Sequence, residues 1–487
     1  MNIRRLRITL ILIAGVAATM LAGACASQEV RAARRGDIQA LEDFLADGGD
    51  VDERSRGDKT LLMEALENRQ EAAAAFLLDA GASVELSDSQ GRTALVYAAR
   101  ADLPGLTERI IDIGADIEAP DNEGKTALLH AVQEGSRRAF DVLRGEGASV
   151  TIRDRDGNTA LHAAADSAAP GFVQMLIDEG LSPDTRNNQG RTALHRAASR
   201  AATNVASELI RAGADMELKD NRGRTPLMLA ADTGATGVVQ RLLDAGADPE
   251  PRDNDGWNAL AFALSRSAAD RSGVQRSATL LREAGAQVPR EEHIGADIAF
   301  RAVRSGNAEV ISLLLEAGLD PGVRNRHGET LLTASVAHEA IVRHVLAADA
   351  DPNRPNRAGD QPLMLAVEGG HEGTVRRLLS AGANPDISGF DRRTPLMKAA
   401  DADREEITRQ LLLAGARVNE RDRRGNTALH FAAEGASERV IRLLLTGGAQ
   451  ASLRNNDGKE PVDIAVDEGR SDSIIDLLVS AGGTPPD

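Results

Sequence analysis

One threonine recurs along this chain at a fixed step, and that step decides most of what the chain can become. Thr60, Thr93, Thr126, Thr159, Thr192 and Thr225 lie 33 residues apart. Asn258, Asp297, Thr330, Gln361, Thr394, Thr427 and Glu460 hold the following places, with one long step of 39 and one short step of 31. A half-matching stretch, Ser27–Gly48, comes before them, so about fourteen units cover residues 27–487. A unit this short cannot hide an apolar face alone. Copies must stack and bury that face between neighbours.

The stretch Asn221–Asp253 shows what one unit holds. Thr225 is expected to cap a helix, its hydroxyl accepting a free N–H of the first turn, and Pro226 fits the first helical position, where no N–H is needed. Leu227, Ala230 and Ala231 recur at helical spacing until Gly234, which tolerates left-handed backbone. A second helix is expected through Val238, Val239, Leu242 and Leu243, ending at Gly246. Asp248–Asp253 then leads into Asn254-Asp255-Gly256, a tight-turn composition. The turns DSQG (88–91), DNEG (121–124), DRDG (154–157), NNQG (187–190) and DNRG (220–223) share that composition. Their leading Asp or Asn can bond its own backbone two residues on. Hydrophobic residues make up 42% of the chain but aromatics only 2%, so Ala and Leu must build a thin core.

A period near 33 carrying TPLM (225–228, 394–397), TALH (159–162, 192–195, 427–430) and LLxxGA (77–82, 242–247, 411–416) resembles the ankyrin repeat. The resemblance covers everything after the N-terminal segment. It implies a mainly α solenoid of about fourteen helix-turn-helix units, with short β-turn fingers beside a concave helical face. It also implies that His162, His195 and His430 bond backbone between adjacent turns, and that the chain recognises a protein.

Met1–Ala24 has a basic start (Arg4, Arg5, Arg7), an apolar run Ile8–Met20 and small residues before the single cysteine, Cys25. This is the layout of a secretory signal. Leu21-Ala22-Gly23-Ala24-Cys25 resembles the lipobox of bacterial lipoproteins, with Ala22 standing where that family usually has Leu. The resemblance implies lipidation of Cys25 and export to the periplasmic face of the outer membrane or the cell surface. The apolar run is short for a spanning helix, which needs roughly 20 residues. One cysteine allows no intramolecular disulfide and no multi-Cys metal site.

The regular spacing breaks after Leu264. Residues 265–296 read as an irregular insertion between a first block of repeats, 25–264, and a second block with a C-terminal cap, 297–487. The break reads as a local irregularity in a continuous stack, against the alternative of two separate stacks.

No HExxH, GxSxG or GxxxxGK[ST] motif appears. Neither catalytic residues, a metal site nor a cofactor is expected. The formal charge of −17, or −20 without the three leader arginines, argues against nucleic acid as a partner. The residue before each recurring threonine sits at a finger tip, and there the sequence places Arg191, Arg224, Trp257 and Arg393. With Arg222, Arg266 and Phe390 at neighbouring variable positions, these are the candidate partner-binding residues, an arginine and aromatic set of the kind that dominates interfaces. The expectation is a monomeric, non-enzymatic, lipid-anchored scaffold for a protein partner, touching membrane through its anchor alone. A regulatory subunit or inhibitor of an envelope enzyme, an enzyme with an unrecognised site, and a structural spacer are the alternatives.

Overall fold

Thr225 accepts the N–H of Met228 at 3.4 Å, and Pro226 opens the helix Pro226–Thr233. Gly234 ends it at φ 70°, its N–H returning to the carbonyls of Ala230 and Ala231. The second helix of the unit, Thr236–Asp244, runs back, and Gly246 at φ 90° turns the chain outward. Leu227, Ala230, Ala231, Val238, Val239 and Leu242 are buried, whereas Leu243 is half-exposed. The 3.6-residue period thus names part of the buried surface: it leaves out Pro226, Met228 and Leu229, which are buried as well, and includes Leu243.

The computed structural model describes residues 27–265, 271–289, 292–389 and 391–485. Cys25, Arg266, Phe390 and the signal segment 1–24 lie outside the described residues. Described residues up to Asn254 form one compact unit, and those from Asp255 a second. Each contains seven helix pairs among the described residues. First helices stack on first helices and second on second, as in Ala193–Ser199 against Pro226–Thr233 and Thr203–Arg211 against Thr236–Asp244. Strand content among the described residues is limited to isolated bridges, such as Ser87 with Thr93, across finger turns. No helix among the described residues is long and apolar enough to cross a membrane.

The extra residues after Leu264 go largely into helix length. The second helix of that pair, Arg271–Glu283, has 13 residues where its counterparts have nine. The segment lacking an Asp-led turn is itself helical, Glu292–Ser305, with Ile294 buried. The shortened unit at Thr330 keeps a first helix of only four residues, Leu331–Ala334. At the C-terminus, Glu460 takes the threonine's place. Its buried carboxylate accepts the N–H of Thr484 at 2.7 Å and the Thr484 hydroxyl at 2.9 Å, folding the tail over the last pair.

Candidate functional site

Most of the described fingers begin with the same device. Asp220 accepts the N–H groups of Arg222 at 2.9 Å and Arg224 at 3.0 Å, and Asp88, Asp121, Asp154, Asn187 and Asp422 repeat this in their own turns. Successive fingers are then laced together. The backbone N–H of Asn221 reaches the carbonyl of Gln189 at 3.0 Å, and its side-chain amide the carbonyl of Asn188 at 3.0 Å. Gly190 makes room for this. At φ 73°, a Cβ there would lie 2.9 Å from the Asn221 nitrogen.

In several fingers the residue before the threonine turns inward, onto its own turn, rather than out. Arg92 pairs with Asp88 at 2.7 Å, Asn158 donates to Asp154 at 2.9 Å, and Arg224 pairs with Asp220 at 3.1 Å. In two turns that open with Asn, an acid stands in the later place: Asn325 donates to Glu329 at 2.7 Å and Asn356 to Asp360 at 3.1 Å. Arg191 follows Asn187, which offers no charge, and reaches Asp220 of the next finger at 3.2 Å. The structure therefore brings Arg191 and Arg224 together on one carboxylate, with both side chains mostly buried. Burial raises the Asp220 carboxyl, but the N–H groups of Arg224 and Arg222 and the guanidinium charges outweigh it and hold it below the usual carboxylate range.

Arg222 is exposed at the tip of this finger. Trp257 belongs to the second unit and is half-exposed. Its ring lies 5.4 Å from that of Phe262, under the guanidinium of Arg301 at 5.6 Å. Arg393, also in the second unit, stacks on the buried ring of Phe431 at 4.2 Å and pairs with Asp401 at 3.1 Å.

The buried histidines are fully engaged. His195 accepts the N–H of Thr192 at Nδ1 (3.2 Å) and faces the carbonyl of Arg224 with Nε2 at 3.0 Å. His162 and His430 do the same toward Arg191 and Lys459, at 2.8 and 3.2 Å. A carbonyl at Nε2 requires a proton there, so these imidazoles are neutral and tie one unit to the next, as the resemblance implied. Among the described residues, no group of three or more His, Cys, Asp or Glu side chains is placed to hold a metal ion.

The floor between the fingers and the first helices comes from the residue four past each threonine. In the first unit that column reads Glu64, Tyr97, His130, Ala163, Arg196 and Leu229. The Tyr97 hydroxyl donates to Asp88 at 2.7 Å, and His130 Nε2 lies 2.8 Å from Asp121. Burial is the largest cause moving the Tyr97 phenol up and the His130 imidazole down. Ala163 interrupts the large side chains, and a hollow of about 370 Å³ opens over it. A second hollow of about 390 Å³, beside His130, shares Asn122, Glu123, Lys125 and Gln133 with the first, so the two form one polar groove. Sequence reasoning that looked at the tips missed this column. The one small residue among large ones was the available signal.

Stacked helix pairs, laced turns and histidines bonded across repeats are the features by which known repeat families can be compared. A family model for ankyrin repeats (three copies) matches residues 30–121, 102–187, 128–220 and 194–292, and again 299–389, 334–422 and 396–486. None of the curated proteins compared with the chain matches it. With matched windows running through nearly all of both units, the chain belongs to the ankyrin-repeat family.

Proposed function

We propose that this chain is an exported scaffold, tethered by lipid on Cys25, that holds a protein partner in the groove of its first unit. Ankyrin repeats are protein–protein interaction modules, and that much follows from the family. The observation that carries the finer reading is the groove itself. It is lined by amides and by both signs of charge, including Asn122, Lys125, Gln133, Asn158 and Arg196, while the tip arginines beside it are tied inward. Exposed Arg222 stands on a finger two repeats further along the same unit. Arg191 and Arg224 serve this surface by supporting turns rather than by reaching the partner, whereas Trp257 and Arg393 belong to the second unit. The chain acts as a monomer, without a cofactor.

A photo-crosslinking residue at Gln133, in the groove, and one at Gln174, on a second helix, test this in cells. Both positions are exposed. A discrete adduct from Gln133 and none from Gln174 is expected. Equal adducts, or capture from Gln174 alone, would place the partner elsewhere. The same cells test the anchor: Cys25→Ala should release the exported chain from membranes, and a wild-type chain that fractionates as soluble contradicts lipidation.

A further inference from the structure

Arg196 and Asp166 pair directly in the lining of the hollow over Ala163, and their match is incomplete. Arg196 gives a terminal nitrogen to Asp166, while its Nε, buried away from water, has no partner. A buried donor left without an acceptor has lost its water without gaining a bond in return. Asp166 is in the opposite position. It holds a second guanidinium, Arg200 Nε at 3.2 Å, and would stay paired if Arg196 let go.

The other acceptors around the hollow are engaged or open to water. Asp154 takes the N–H groups of Asp156 and Asn158 and the Asn158 amide. Glu123 is answered by Lys125 at 2.9 Å, and Asp156, on the finger that lines the hollow, is exposed to water. What the hollow leaves unmatched is a donor, on a residue whose fork opens once its present partner is exchanged. A carboxylate taking both Nε and a terminal nitrogen would form the two parallel bonds that Arg makes best.

We propose that the hollow over Ala163 receives an Asp or Glu side chain from an extended segment of the partner, which replaces Asp166 on the fork of Arg196. This rests on the groove being the partner surface and names the chemistry it selects. Arg155, exposed on the finger, adds positive charge at the entrance. Asp166 is then an internal stand-in for the ligand, so removing its charge strengthens binding rather than weakening it.

The test pans a random dodecapeptide phage library on the full-length chain and measures the enriched peptides by fluorescence anisotropy. The enriched peptides are expected to share one Asp or Glu, whose change to the amide weakens binding about tenfold, the size of one charge-assisted pair. Arg196→Gln gives the same loss, with no further loss for the amide peptide, and Asp166→Asn tightens binding several-fold. An Arg196–Asp166 pair with only a structural role would give a loss or no change in Asp166→Asn. Enrichment without a shared acid, indifference to Arg196→Gln, or no enrichment at all overturns the proposal. Ala163→Arg separates it from the broader reading, since it fills the hollow with the residue type that the next unit carries in that place. Peptides without an acid that are still expelled by Ala163→Arg leave the groove reading standing and remove the carboxylate. Peptides that ignore both changes remove both.

Discussion

Arg191 crosses from its own finger to the carboxylate of Asp220, Nε to Oδ2 3.2 Å, and meets Arg224 there. One buried carboxylate thus neutralises two guanidiniums from consecutive repeats while capping its own turn. Asp220→Asn keeps an oxygen for the backbone N–H groups but loses both charge pairs. We expect it to lower stability by about 1–3 kcal/mol. Arg222→Ala, at the exposed tip of the same finger, should change it by no more than about 0.5 kcal/mol. Urea melts of the two variants decide this. Equal effects would mean the shared carboxylate does not hold the fingers.

The stack depends on its buried leucines more than on its caps. Leu227 is 1% exposed, and Leu227→Ala should cost about 2–5 kcal/mol. Thr225→Ala, which loses the bond to Met228, should cost about 1 kcal/mol. The same melts rank them, and a reversed order would contradict the assigned register.

Ala201 sits at φ 57° between its two helices, where other units, such as the one turning at Gly234, use glycine. A side chain in left-handed backbone costs roughly 1–2 kcal/mol, more than glycine loses in chain entropy. Ala201→Gly is therefore expected to raise stability by about 0.5–1 kcal/mol. A lower unfolding midpoint for this variant would contradict that account of the turn.

Burial pushes the His195 imidazole down to about 4, against the favourable carbonyl of Arg224, and His162 and His430 shift the same way. A histidine whose pKa is lower folded than unfolded binds fewer protons in the native state. Its contribution to stability is intact above the ordinary value of 6.5 and falls as pH drops from there toward 4. The slope is at most about 1.4 kcal/mol per pH unit per group. Asp88, Asp121, Asp220 and Glu64, all held below the usual carboxylate range, lose their contribution only at lower pH. Unfolding midpoints at pH 7 and pH 5 should thus drop less in His195→Gln than in the wild type. Equal drops would show that His195 is not the group responsible.

Much of this was legible because it repeats. Thr225, Pro226 and Gly234 act locally, through a cap, a fixed φ and a left-handed stop, so spacing alone placed the helices of Asn221–Asp253. The tips were harder. Arg191, Arg224 and Trp257 are polar or aromatic residues at turn positions, and composition does not say whether such a side chain faces water or its own turn. The answer lay in pairs, Arg224 with Asp220 and Glu329 with Asn325, whose identities compensate four residues apart. The exchangeable state of Arg196 has no signature in sequence, because it depends on the angle at which three side chains of two repeats meet.

The central claim is that the tips hold the array while the groove recognises the partner. It is tested most directly by measuring crosslinking at Gln133 and the urea midpoint together in two variants. One combines Arg191→Ala, Arg224→Ala and Trp257→Ala; the other is Ala163→Arg. The account predicts a lowered midpoint with normal capture per folded molecule in the first, and lost capture at an unaltered midpoint in the second. An intact midpoint with lost capture in the tip variant, beside normal capture in Ala163→Arg, would contradict it.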